Sequence, residues 1–176
     1  YLIDAPSLPY RSGPYVDEKG KDWADNAFRF AVLSRVAAMF GSQPDLFDWK
    51  PKLIHCNDWQ TGLTPAYLSF GPGNQTRTLI TVHNMAFQGN FPPRLLPHLD
   101  LPKTSYKVQG LEFHGQFSFL KAGLFYADHI NAVSPTYAAE VKTPRFGCGL
   151  DGLLRDLGTR FTGILNGIDY GLWNPA

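Results

Sequence analysis

The chain has 176 residues, a formal net charge of +1, 44% hydrophobic and 18% charged residues. That balance is one of a domain that buries a core, and it excludes a disordered chain or a long coiled coil. No basic stripe is present, which argues against nucleic acid as the main partner. No apolar run approaches the length of a membrane span, and no signal-peptide pattern is found. Cys56 and Cys148 lie far apart, outside any C-x-x-C pattern, and read as free thiols of a reducing compartment. Aromatic residues are 14% of the chain, with Trp23, Trp49, Trp59 and Trp173 among them, a composition that suits a carbohydrate cleft, although any single ring is more often a core residue. The chain starts at Tyr1 without a methionine and ends on Trp173-Asn174-Pro175-Ala176, which resembles the start of a linker, so a piece of a longer protein is expected.

Leu2-Ile3-Asp4 reads as the tail of a strand. Residues 5–21 are rich in Pro, Gly and Tyr and read as a long loop whose Tyr10, Arg11 and Tyr15 can form a cleft wall. Phe30, Leu33, Ala37 and Phe40 recur at helical spacing and predict an amphipathic helix over 26–40, capped by Asp22 or Asp25 and stopped by Gly41-Ser42-Gln43-Pro44. A short buried strand is expected over 52–56, then a helix over 61–70 with Pro65 in its first turn and Gly71-Pro72-Gly73-Asn74 at its end. The next strand, over 77–82, completes a β-α-β unit of the right-handed parallel kind. Residues 91–106 carry several prolines and read as a loop with one short helical turn. A helix is expected over 117–127, a strand over 129–133, a helix started by Ser134 as N-cap with Pro135 at its first position, a short helix over 149–157 and a last strand over 161–165. Alternating strands and helices predict an α/β domain with a mostly parallel sheet flanked by helices.

Four of these strands end in polar residues: Asn57-Asp58 with Trp59, His83-Asn84, Ser134, and Asn166 with Asp169. The carboxyl ends of parallel strands share one edge, where ligands of α/β proteins bind, so a polar cleft is expected there. The run from Thr78 to Gly89 shows the change most sharply, from β-branched and apolar residues to His83, Asn84, Gln88 and Gly89. No glycine-rich dinucleotide fingerprint, P-loop or nucleophile elbow occurs, which argues against a dinucleotide enzyme, a P-loop nucleotidase and an α/β-hydrolase. A metal-dependent hydrolase built on His55, Asp58 and His83 remains a rival by ligand type, although His55 is expected inside its strand, as a satisfied buried histidine. Asp58 can equally be a helix N-cap.

Several long blocks resemble the glycogen and starch synthases of the bacterial and plastid type. They are residues 55–63 (His-Cys-Asn-Asp-Trp-Gln-Thr-Gly-Leu) and 81–89 (Thr-Val-His-Asn-Met-Ala-Phe-Gln-Gly), followed by Gly110-Leu111-Glu112-Phe113, 118–124 (Ser-Phe-Leu-Lys-Ala-Gly-Leu), 132–137 (Ala-Val-Ser-Pro-Thr-Tyr) and 165–169 (Leu-Asn-Gly-Ile-Asp). The blocks run in order across nearly the whole chain. The resemblance implies a Rossmann-like α/β fold, the N-terminal, acceptor-side half of a two-domain GT-B glycosyltransferase, incomplete here, with residues 1–173 in that domain and 174–176 opening the interdomain linker. It implies a retaining transfer of glucose from ADP-glucose to the non-reducing end of an α-1,4-glucan, no cofactor and no metal, and a bacterial cytoplasmic or plastid-stromal location. The partners implied are the nucleotide-sugar, the α-glucan and a C-terminal domain of the same polypeptide, without nucleic acid or membrane.

Residue by residue, His83 matches the family's cleft histidine, expected at the transferred glucose and the reacting centre. Asn84 is the adjacent cleft residue. Asp58 and Trp59 match residues expected to hold the acceptor by hydrogen bond and by stacking. Tyr10 looks like the acceptor-side tyrosine, and Asn166 matches a cleft asparagine near the domain junction. Many members have histidine where Asn57 and Gln60 stand. The family's Lys-[Ser/Thr]-Gly-Gly loop and the Arg and Lys that neutralise the diphosphate are not found in this chain, so it is expected to be inactive alone. A glucan-binding module without catalysis is the alternative.

Overall fold

The computed structural model describes residues 4, 5, 8, 10–47, 49–72 and 76–174. Leu2 and Ile3 of the expected strand tail, Gly73-Asn74 of the expected helix stop, and Pro175-Ala176 of the expected linker lie outside the described residues.

Four strands, β1 (Leu53–Asn57), β2 (Arg77–Val82), β6 (His129–Ala132) and β7 (Phe161–Gly163), form a wholly parallel sheet in the order β1-β2-β6-β7. Between them run α2 (Leu63–Phe70), α3 (Phe119–Tyr126), α4 (Pro135–Glu140) and α5 (Asp151–Asp156). Each crossover steps to the next strand in the same direction. Crossovers of one hand stepping one way deposit their helices on one face of the sheet. Ile54, Cys56, Ile80, Val82, Ile130, Ala132 and Phe161 accordingly pack with Leu120, Leu124, Ala138, Val141 and Leu154. Neither hydrophobic cluster contains Leu53 or Leu79 of the opposite face, which otherwise carries His55, Asn57, Thr81, His129, Asn131 and Thr162, with Thr81 and Asn131 buried. His55 is satisfied but not buried: it stands exposed on that face, 2.7 Å from the Thr81 hydroxyl.

The first helix, α1 (Asn26–Ser42), buries Ala27, Ala31, Ser34, Ala38 and Gly41, not the larger apolar stripe the sequence suggests. Small residues let α1 approach α2 closely, and Ser34 and Thr64 seal the contact by donating to the Gln60 and Ser34 carbonyls. Leu33, Ala37 and Phe40 instead line an open groove of about 360 Å³ with Trp49, Pro51, Leu53 and Ile54, beside β1, the edge strand among the described residues. Asp25 stands at the N-cap position without a capping hydrogen bond, because its carboxylate pairs with Arg11, and Asp22 forms a β-bridge with Val16.

The 117–127 segment starts as strand, not helix. β5 (Gln116–Ser118) pairs antiparallel with β3 (Asn90–Phe91) and β4 (Glu112–Phe113) in a small sheet that the sequence reading did not foresee. Ser118 then caps α3, accepting from the Lys121 amide. The Lys121 ammonium is itself buried and donates to the Val108 and Glu112 carbonyls, which clamps 108–112 onto α3. Burial pushes its pKa down, against the pull of Glu112. The proline-rich stretch carries two 3₁₀ segments, Pro93–Leu99 and Lys103–Ser105. The strand expected over 161–165 stops at Gly163, where an added Cβ would lie 2.2 Å from the Ser134 carbonyl oxygen. The last element is α6 (Tyr170–Trp173), capped by Asp169.

Candidate functional site

The carboxyl edge of the sheet brings β1 and β2 to an ordered junction. Beyond Asn57 the chain enters a 3₁₀ turn, Trp59–Thr61. The Thr61 hydroxyl ties that turn down, lying 2.6 Å from the Asn57 amide and 2.8 Å from its carbonyl oxygen. Between them Asp58 sits at φ 55° and ψ −167°, a conformation that is almost exclusively glycine's. Its amide donates to the Thr81 carbonyl at 2.9 Å, in register with the β1–β2 ladder. Its carboxylate reaches the first residue past β2: Oδ1 accepts the His83 amide at 2.8 Å and Oδ2 lies 2.9 Å from His83 Nδ1. Asp58 is thus not a helix N-cap, and its side chain makes no cap bond to the following turn.

The segment after His83 is braced from three sides. Asn84 Oδ1 accepts the Ala86 amide at 2.9 Å, an Asx turn that leaves its Nδ2 for other partners. The Met85 amide donates to the Tyr137 hydroxyl at 2.9 Å, and burial raises the Tyr137 pKa despite that bond. Gln88, one of the polar residues that follow the strand, is buried and structural: Nε2 donates to the Cys148 carbonyl and Oε1 accepts from Asn90. Gly89, at φ +59°, then passes beneath the Trp59 indole, where a Cβ would stand 2.3 Å from Cε3.

Trp59 is not a free stacking platform. Its ring is hemmed in by Phe30 at 4.7 Å, Phe91 at 5.9 Å, Phe119 at 6.1 Å and Tyr15 at 6.4 Å between centroids. What remains open forms one wall of a cavity of about 390 Å³, with Tyr15, Phe87 and Phe91 as further aromatic walls and Asp22, Gln60 and Asn90 as polar ones. Tyr15 and Phe87 are 44% and 63% exposed, so their rings are the accessible ones. The loop that brings Tyr15 there is strapped to the start of α1: Trp23 Nε1 donates to the Gly13 carbonyl, Asn26 Nδ2 to that of Tyr15 and Arg29 to that of Pro14.

Among the residues singled out from sequence, the structure brings together Asp58, Trp59, His83 and Asn84. Tyr10 is not with them. It is 99% exposed and makes no ring contact with a described residue, whereas Tyr15 lines the cavity. The sequence signal for that choice was weak, since both tyrosines follow proline in one loop. Asn166 lies in an exposed segment past β7 and makes no hydrogen bond to a described residue. Ser134 caps α4, accepting the Tyr137 amide at 2.9 Å. For the metal reading, His55 and the Asp58–His83 pair are held by different partners, and no group of three or more His, Cys, Asp or Glu able to hold a metal occurs among the described residues.

The fold is that of an α/β domain of the GT-B glycosyltransferase class, with an aromatic-walled cavity at the carboxyl edge of its parallel sheet. The profile of the starch synthase catalytic domain matches residues 1–156, and the chain belongs to that family. It is 51% identical to a glycogen synthase of Paramagnetospirillum magneticum, covering 100% of this chain and 36% of the relative. Glycogen synthase 1 of Methylococcus capsulatus is 52% identical, with 100% and 36% covered. The solved catalytic domain of starch synthase IV from Arabidopsis thaliana, bound to ADP and acarbose, superposes with a TM-score of 0.75 at 32% identity, over 88% of this chain and 32% of that one. The chain therefore spans about a third of the length of the relatives it matches. No described helix is long and apolar enough to cross a membrane.

Proposed function

We propose that this chain supplies the acceptor side of a retaining glucosyltransferase that moves glucose from ADP-glucose to the non-reducing end of an α-1,4-glucan, in the bacterial cytoplasm or a plastid stroma. The observation that carries the reading is the Asp58–His83 pair set at the sheet edge within the same junction as the aromatic cavity walled by Tyr15, Trp59 and Phe87. In this reading the cavity holds glucan, its rings packing on the apolar faces of glucose and Gln60, Asn90 and Asp22 meeting hydroxyls. His83 and Asn84 stand toward the reacting sugar, where the His83 carbonyl and ring orient it and stabilise positive charge developing at the anomeric carbon. Asn166 joins them only in the two-domain enzyme.

Residues 1–173 then form part of an N-terminal domain and 174–176 open its linker. Among the described residues β1 is an edge strand and no helix packs on the sheet face that carries exposed His55 and Asn57, which supports an incomplete domain: crossovers stepping the other way from β1 are what would cover that face. Among the described residues no arginine or lysine makes a hydrogen bond or ion pair to Asp58 or His83, which supports a reading in which the departing diphosphate is stabilised from outside this chain. The chain alone is therefore expected to bind maltooligosaccharide without turning over ADP-glucose. Calorimetric titration with maltohexaose and a transfer assay with ADP-glucose and glycogen test this. Binding that weakens in Phe87→Ala, with no transfer, is the expected result. Absence of binding, or transfer at the rate of a complete synthase, overturns the proposal.

A further inference from the structure

We propose that Asp58 is a positioning residue that acts through His83: its two carboxylate oxygens fix the orientation and the tautomer of the ring, so that Nε2 is the atom turned to a bound sugar. The identity of that sugar rests on the glucosyl-transfer reading above, while the tautomer rests on geometry alone.

A carboxylate oxygen only accepts hydrogen bonds, so at 2.9 Å from Asp58 Oδ2 the His83 Nδ1 is the donor. The same carboxylate takes the His83 amide at 2.8 Å through Oδ1. One side chain thus grips backbone and ring of a single residue, which removes rotation of the imidazole and selects the Nδ1–H form. His83 Nε2 makes no hydrogen bond to a described residue, and the side chain is 47% exposed, which leaves that atom to a ligand.

The backbone supports the assignment independently. Glycine makes a turn at φ 55°, ψ −167° without strain, whereas aspartate there is strained and is held by the Thr81 carbonyl and by the Thr61 clasp on Asn57. A residue needed only for the turn would be glycine. Aspartate adds one thing, a carboxylate delivered to His83. Each oxygen takes one bond from His83, so the histidine is the partner this carboxylate is placed for, and Asp58 serves the sugar through it.

Long-range ¹⁵N NMR of the imidazole in the labelled 176-residue chain distinguishes Nδ1–H from Nε2–H when the ring is neutral. The unaltered chain is expected to show Nδ1–H. Asp58→Asn, whose amide can donate to Nδ1, is expected to move the ring to Nε2–H, and Asp58→Gly, which keeps the turn, to release it to a mixture. A tautomer that is the same in all three proteins overturns the proposal, as does Nε2–H in the unaltered chain. Because no glucan is present in the measurement, failure of maltohexaose to bind would count against the proposed function and leave this inference standing.

Discussion

Gly89→Ala is the sharpest probe of how the cleft is built. The added methyl would stand 2.3 Å from Trp59 Cε3, 2.8 Å from Cδ2 and 3.2 Å from Phe119 Cβ, and the residue would have to keep φ +59°. Holding alanine in the left-handed region costs about 1–2 kcal/mol, and overpacking of a filled site costs about 1–3 kcal/mol. The indole cannot simply retreat, because Phe30, Phe91 and Phe119 pack around it. The expected loss is about 2–5 kcal/mol, a large share of the stability of an ordinary domain. Gly115→Ala separates the two costs: Gly115 has φ +77° but nothing within 4 Å of its Cβ position. Urea unfolding of both variants should therefore place Gly89→Ala below Gly115→Ala by about 1–3 kcal/mol, the clash alone. Maltohexaose affinity should fall in Gly89→Ala, because Trp59 walls the cavity, and stay unchanged in Gly115→Ala. Equal stability losses in the two variants, or a Gly89→Ala protein that binds as before, would refute the account of Trp59 as a wall set by Gly89.

Tyr15→Ala should weaken maltohexaose binding by about two- to tenfold, the worth of one aromatic contact, while Tyr10→Ala should leave it unchanged. Calorimetry on the two variants checks the placement of the rings. Asp128 accepts the Thr78 amide and hydroxyl at 2.8 and 3.0 Å and pairs with Arg77 at 2.7 Å at the start of β2. Burial works to raise its pKa, but the bonds from Arg77 and Thr78 outweigh that and leave it lowered. Its stabilising contribution is thus present above the ordinary carboxylate value and lost as pH falls through the depressed one. Asp128→Asn should be less stable by about 1 kcal/mol at neutral pH, discounted for exposure, and the gap should close below about pH 4, as urea midpoints across pH will show. Iodoacetamide should label exposed Cys148 and spare buried Cys56, whose thiol burial pushes up to about 11. Mass spectrometry of the native chain decides this, and equal labelling would contradict the burial of Cys56.

The parallel strands and their order of appearance were legible because buried strands are short runs of apolar and β-branched residues, and because Pro and Gly mark their limits. The 77–82 strand agrees residue for residue, and Ser134-Pro135 starts α4 as its capping chemistry requires. Periodicity found α1 but misjudged the face it buries, since a helix that packs closely on a neighbour does so through Ala27, Ala31, Ser34, Ala38 and Gly41, and small residues carry little hydrophobic signal. Strands of two or three residues such as β3 and β4 show no alternation to read, which is why the small antiparallel sheet went unseen.

By itself the sequence determined the α/β class, the edge at which polar residues gather and the glycogen and starch synthase likeness, because these depend on local pattern and on contiguous blocks. Only the tertiary structure decided that Asp58 and His83 grip each other, that Gln88 is a brace, that Trp59 is a wall and that Tyr15, not Tyr10, reaches the cavity. Those outcomes turn on register between strands, on one backbone residue held in glycine's conformation and on the path of a loop strapped to α1. None of them is encoded in the neighbours of the residue concerned, since each partner lies elsewhere in the chain.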